Sequence, residues 1–179
     1  MPDFHRHRVP GGCFFFTVNL LERRGNTLLA DRIDLLRDAV RHVRSSRPFT
    51  IDAWVVLSDH LHAVWTLPPG DDDFSIRWRL IKTFFARALP KTERLSRVRR
   101  ADGERGIWQR RFWEHAIRDD ADYAAHMDYV HFNPVKHRLV ASPADWPYST
   151  FRSCAERGLY PVDWIGSGVE DVPAGEPGD

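Results

Sequence analysis

The run Trp54 to Pro68, WVVLSDHLHAVWTLP, is apolar except at His60, His62 and one break, Ser58-Asp59, and no other stretch constrains the fold as tightly. Its β-branched and aromatic content suits strands, and the polar pair in the middle splits it. The expected result is a hairpin of two strands, Phe49 to Leu57 and His60 to Leu67, closed by Pro68, Pro69 and Gly70. Along a strand, residues i and i+2 share a face, so His60 and His62 point the same way while Leu61 packs behind them. Two imidazoles so placed can reach one metal ion. An H-x-H pair is also a common pattern for two polar residues on a half-exposed strand, so the rest of the chain has to decide.

Upstream, Cys13 to Leu21 (CFFFTVNLL) reads as a first strand after a Gly-Gly turn. Asp31 to Ser45 places Ile33, Leu36, Val40 and Val43 at helical spacing. Downstream, Phe74 to Leu89 has helical period, with Ile76, Leu80, Phe84 and Ala88 assigned to its inner face and Arg77, Arg79 and Lys82 presented elsewhere. Pro90 to Gly106 has little apolar periodicity and reads as a mobile basic connector. Phe112 to Ile117 returns to strand, and Asp119-Asp120 caps a third helix that should end near Asn133-Pro134. The order β-α-β-β-α-β plus a helix predicts an α+β fold, the split βαβ of ferredoxin-like and RNA-recognition-like domains, with one sheet face open. Residues 1–165 form the expected domain, and 166–179 an acidic tail without structure.

Net charge excludes little, because 26 Lys and Arg face 25 Asp and Glu. Its distribution says more. From Arg87 to Arg111, including Arg110, nine basic side chains meet three acidic ones, the footprint expected of a nucleic-acid binder or of a solvated loop. Trp65, Trp78, Trp108 and Trp113 are candidates for stacking on unpaired bases, or for the core. Cys13 and Cys154 lack the spacing of a zinc knuckle or a disulfide framework. The opening MPDFHRHRVP lacks a signal-peptide core, and no run is long enough to span a bilayer, so a cytoplasmic protein is expected, nucleoid-associated when on DNA. His5 and His7 form a second H-x-H, but with Arg6 between them in a polar terminus metal binding is not expected there.

Tyr129 and Asn133 lie four residues apart on the third helix and so can address one point. A phenol facing a divalent ion is what DNA cleavage through a phosphotyrosine requires. The bland alternative has Tyr129 in the core and Asn133 capping the helix before Pro134. His115, His126, His131 and His137 lie near in sequence, and spacing does not select among them. A metallohydrolase using activated water would leave Tyr129 without a role and lacks a carboxylate cluster to serve as base.

Three segments, WVVLSDHLHAVWTLPPGDDDFSIRW, IWQRRFWEHAIRDDADYAAHMDYVHFNPVKHRLV and DWPYSTF, resemble, in order, the single-tyrosine transposases associated with repetitive extragenic palindromes in bacteria. These belong to the class named for a His-hydrophobic-His metal motif. The resemblance runs from about Gly11 to Trp164. It implies that His60 and His62 are metal ligands, that Tyr129 in DYVHFNP is the nucleophile on a C-terminal catalytic helix, and that Asn133 is a third ligand where relatives more often carry glutamine. Ser58 stands where proline is usual.

The implied activity is metal-dependent cleavage and rejoining of single-stranded DNA at palindromic hairpins, through a 5′-phosphotyrosine, with magnesium or manganese as the ion. The alternative is an inactive hairpin-binding protein with a role in genome organisation or regulation. Arg77, Arg79, Lys82, Arg110 and Arg111 are the expected DNA contacts. A monomer is expected, with a dimer that exchanges tyrosine helices as the other possibility.

Overall fold

The computed structural model describes residues 8–166, 168–169 and 172–176. His5 and His7 lie outside the described residues. Four strands, β1 (Cys13–Asn19), β2 (Thr50–Val56), β3 (His60–Thr66) and β4 (Trp113–Ala116), form one antiparallel sheet in the order β2-β3-β1-β4. Among the described residues, α-helices α1 (Leu28–Asp31), α2 (Ile33–Ser46), α3 (Phe74–Ala88), α4 (Arg97–Ala101), α5 (Asp120–Lys136) and α6 (Phe151–Glu156) accompany it, with a short 3-10 turn at Pro143–Asp145. This is the expected α+β split βαβ, with the two central strands β1 and β3 paired in register from Cys13–Thr66 to Asn19–His60.

Strand alternation sorts the core into two layers. Phe14, Phe16 and Val18 of β1 and Leu61, Ala63 and Trp65 of β3 face α2 and α3 in one cluster. Phe15, Val55 and Val64 face the other way, against Met127, Tyr129 and Val130 of α5 and Cys154 of α6. The sheet face expected to be open is therefore roofed by α5. Because His60 and His62 keep step with Val64, they lie on that roofed face, and both are buried.

The α3 stripe is one residue out of phase with the sequence expectation. Phe74, Trp78, Ile81 and Phe85 are its buried positions, along with Arg77 and Ala86, and Trp78 stacks on Trp65 at 4.1 Å between centroids. The large aromatic rings choose the face, because burying them removes more apolar area than burying Ile76 and Leu80 would.

Helix α5 runs on past Asn133-Pro134, where it was expected to stop. Pro134 is tolerated because the last turn closes by other means. Arg138 takes a left-handed conformation at φ 58°, Arg138 N–H donates to Val135 O at 2.9 Å, and Leu139 N–H donates to Pro134 O at 2.9 Å. That extra turn carries Lys136 and His137 onto the same side of the molecule as Tyr129.

The basic connector is folded back rather than loose. The guanidinium of Arg105 donates to Ala86 O at 2.5 Å and Pro90 O at 2.9 Å and pairs with Glu93, satisfying carbonyls at the end of α3. Arg105 holds the Glu93 carboxyl down to about 2, against the smaller opposing effect of burial.

Candidate functional site

The hairpin turn aims the first histidine. Leu57 N–H donates to His60 O at 2.9 Å, closing the turn, and Asp59 Oδ1 lies 2.6 Å from His60 Nδ1. Arg23 donates to Asp59 Oδ2 at 2.8 Å. Burial alone would raise the Asp59 carboxyl, but His60 and Arg23 outweigh it and hold it below the usual range. With Nδ1 committed to a carboxylate, Nε2 of His60 is turned inward, where it is buried and has no hydrogen-bond partner among the described residues.

The second histidine is fixed from β1. Thr17 sits opposite His62 in the ladder, and its hydroxyl gives its one hydrogen to Ala174 O at 2.6 Å. It must therefore accept from His62 Nδ1–H, 2.8 Å away, which leaves Nε2 as the lone-pair nitrogen. Burial pushes the ring down to about 4, against the opposing pull of Glu176, so it is neutral at pH 7.

One oxygen marks where the site converges. Described residues 172–176 cross the site, with the Pro173 carbonyl accepting from Trp113 Nε1 at 3.1 Å. At Gly175, φ is 61° and any Cβ would lie about 2.5 Å from the Trp113 ring, so only glycine lets the chain pass that close. Glu176 then drops into the site. Its Oε1 lies 2.9 Å from His62 Nε2, 2.6 Å from the Tyr129 hydroxyl, 3.2 Å from Asn133 Nδ2, 3.6 Å from His137 Nε2 and 3.8 Å from His60 Nε2. Burial opposes its ionisation, but His137, His62 and Tyr129 outweigh it and hold the carboxyl far below its ordinary range.

The tyrosine and the paired histidines of one chain lie together. The Tyr129 ring lies edge-on to His62 at 5.4 Å, and Lys136 Nζ is 3.0 Å from the phenol oxygen. The atoms fit a divalent cation. Glu176 Oε1 and the lone-pair nitrogen of His62, 2.9 Å apart, are both donor atoms of the kind that a divalent cation binds. The buried atoms His60 Nε2, Asn133 Oδ1 and His137 Nε2, without hydrogen-bond partners among the described residues, belong to the same site. Ligand atoms of His60, His137 and Glu176 all lie within 4.8 Å of one another.

Sequence reasoning placed His60, His62, Tyr129 and Asn133, and the structure brings all four together. It missed Lys136, Glu176 and the selection of His137. The helical spacing of Tyr129, Asn133 and His137, i, i+4 and i+8, held the signal for the last of these, but the expected helix end at Pro134 hid it. Glu176 left no local signal.

The basic residues divide. Arg79, Lys82, Arg87, Arg99, Arg105 and Arg110 line a cavity of about 600 Å³ that also includes Trp108 and Phe112. Arg79 and Arg87 are exposed, as are Arg110 and Arg111; Lys82 is half-buried and donates to Gln109 O at 2.9 Å. Arg110 is already paired with Asp102 at 2.7 Å and Glu104 at 2.9 Å. Arg77 must be withdrawn as a DNA contact. It is buried, it pairs with Asp71 at 2.6 Å, and it donates to the carbonyls of Arg47, Pro48 and Asp73, so no face of its guanidinium is left for a phosphate. Trp65, Trp78 and Trp108 are likewise core, leaving Trp113 as the one of the four stacking candidates that is exposed.

Fold and site together define a small α+β domain that sets paired histidines on a sheet against a single tyrosine from a covering helix. No family model matches the sequence. The chain is 50% identical over 98% of its length to the REP-associated tyrosine transposase of Escherichia coli (strain K12), covering 98% of that protein. It is 44% identical over 93% of its length to a putative REP-associated tyrosine transposase of Haemophilus influenzae, covering 95% of that protein. It superposes on the solved structure of a REP-associated tyrosine transposase bound to a REP hairpin with a TM-score of 0.84 at 50% identity, covering 99% of this chain and 98% of that one. The chain belongs to the REP-associated tyrosine transposases.

Proposed function

We propose that the chain cleaves and rejoins single-stranded DNA at the foot of a palindromic hairpin, through a covalent bond between Tyr129 and a 5′-phosphate. The observation that carries this reading is the convergence of His62 Nε2, the Tyr129 hydroxyl and the Asn133 amide on one point, within 2.6–3.2 Å of a single carboxylate oxygen. An oxygen of a scissile phosphate seated there, in place of Glu176, lies beside the phenol. The solved relative at 50% identity, bound to a REP hairpin, supports a hairpin as partner.

His60, His62 and Asn133 would hold a divalent ion, magnesium or manganese. When bound, that ion supplies Lewis acidity to a non-bridging phosphate oxygen. The chain does the rest. The phenol oxygen of Tyr129 forms the new bond to phosphorus, the P–O3′ bond breaks, and the 3′-oxygen leaves as a hydroxyl after taking up a proton. The phenol proton, which is hydrogen-bonded to Glu176 Oε1 at 2.6 Å in the docked form, passes to solvent as the new bond forms, once the tail has left, and solvent supplies the proton that the 3′-oxygen takes up. The Lys136 ammonium, 3.0 Å from the phenol oxygen, offsets negative charge gathering there. The phosphotyrosine conserves the bond energy, so a second 3′-hydroxyl can reverse the step and join new ends. Arg79, Lys82, Arg110 and Arg111, with the other cations of the basic cleft, neutralise phosphates of the stem.

The test is incubation with a labelled single-stranded hairpin and manganese, followed by denaturing electrophoresis. A protein-DNA adduct that is lost in His60→Ala, while hairpin binding persists, is expected. Cleavage without an adduct would sink the phosphotyrosine route.

A further inference from the structure

Beyond the two strand histidines, a third imidazole faces the same point. His137 caps α5, one helical turn after Asn133 and two after Tyr129. Its Nε2 is buried, has no hydrogen-bond partner among the described residues, and lies 3.6 Å from the Glu176 oxygen that marks the centre of the site. Its ring stands 5.2 Å from that of His60, centroid to centroid, at 69°. The Nε2 atoms of His62, His137 and His60 thus surround one oxygen at 2.9, 3.6 and 3.8 Å. We propose that His137 is a metal ligand, so that the ion is held by three imidazole nitrogens, with the Asn133 amide as the weaker donor. This rests on the reading of His60 and His62 as ligands and extends it.

Two features separate this from a histidine that merely favours a helix C-terminus by its charge. First, α5 continues past Pro134 to bring His137 to this position, and the turn that ends it there uses Arg138, the one left-handed non-glycine residue among the described residues. A cap needing only positive charge is served by Lys136, already in the last turn. Second, Nε2 of His137 points at the carboxylate shared by the other two imidazoles, and the ring is three-quarters buried. An imidazole is a better donor than a neutral amide for first-row transition ions, so His137 should hold the ion more strongly than Asn133.

The experiment titrates Co²⁺ into the full chain and reads both affinity by calorimetry and the visible absorption of the bound ion, with Mn²⁺ as a competitor. His137→Ala is expected to weaken Co²⁺ binding at least about tenfold and to change the absorption band. Asn133→Ala should weaken it less. His137→Gln, measured alongside, controls for loss of the cap, and both variants should bind hairpin DNA in EDTA like the parent. Parental Co²⁺ affinity and spectrum in both His137 variants would overturn the proposal, while a loss of affinity in His60→Ala in the same series would leave the two-histidine reading standing. Parental affinity in His60→Ala and His62→Ala as well would remove both.

Discussion

The hydroxyl of Tyr129 lies 2.6 Å from Oε1 of Glu176, a residue 47 positions later in the chain, and donates its hydrogen to it. In this arrangement the phenol is engaged by the chain's own tail, and the place where a phosphate oxygen would sit is filled. Glu176→Gln, or removal of residues 172–179, should raise the yield of covalent hairpin adduct by roughly tenfold, the equivalent of one charge-assisted hydrogen bond in the docked form. Initial rates of adduct formation at saturating hairpin check this. Equal rates for parent and variant would mean that the tail leaves without cost.

Tyr129→Phe removes one oxygen from a buried ring that also packs edge-on against Phe15 at 5.9 Å. The fold should persist, with a loss of about 1–2 kcal/mol in unfolding free energy, because the ring keeps its packing and the hydroxyl's bonds to Glu176 and Lys136 are lost. The adduct should vanish. Gel-shift affinity for the hairpin should remain within about twofold of the parent, and residual strand cleavage would reassign the nucleophile.

Charge removal on α3 should act on DNA and stability separately. Arg79→Ala and Arg87→Ala, both exposed, are each expected to lower the salt dependence of hairpin binding by about one counterion without a change in melting temperature. Arg77→Ala should do the reverse. Losing a buried guanidinium leaves Asp71 and three backbone carbonyls short of their partner, a change of about 3 kcal/mol or more in stability. Affinity measured against salt concentration, next to thermal melts, tells the two apart.

His131 gives the fold a pH dependence of known sign. Burial pushes its ring down to about 4, below the ordinary 6.5, with Thr150 Oγ1 2.9 Å from Nε2. The unfolded chain therefore takes up a proton first as pH falls. Stability from this group is full above about 6.5, declines between about 6.5 and 4, and changes no further below that, a total of no more than about 3 kcal/mol. Urea titrations at pH 7.5 and 5 should show the decline, and His131→Gln should make it shallower, leaving the part that His62 contributes. An unchanged slope in the variant would assign the dependence to other groups.

The hairpin of β2 and β3, the split βαβ order of elements and the shared face of His60 and His62 were legible in the chain, because alternation along WVVLSDHLHAVWTLP leaves a hairpin little freedom. Tyr129 with Asn133 was legible through helical spacing. Arg77 was not. Its flanking charges make it look like part of an exposed basic face, and only the packing of Trp78 on Trp65 shows that α3 is rotated to bury it. The end of α5 was misplaced for a similar reason, since proline's local penalty is visible in sequence while the closing bonds at Arg138 and Leu139 are not.

What the sequence determined by itself was therefore periodic: which residues share a strand or helix face, and so which chemical groups can act as pairs. The tertiary structure alone decided how separate faces meet, laying α5 over the sheet so that a phenol stands beside two imidazoles, and bringing Glu176 to the same point. Those contacts join residues tens of positions apart, and no local pattern records them, because they depend on how whole elements pack rather than on the spacing within any one of them.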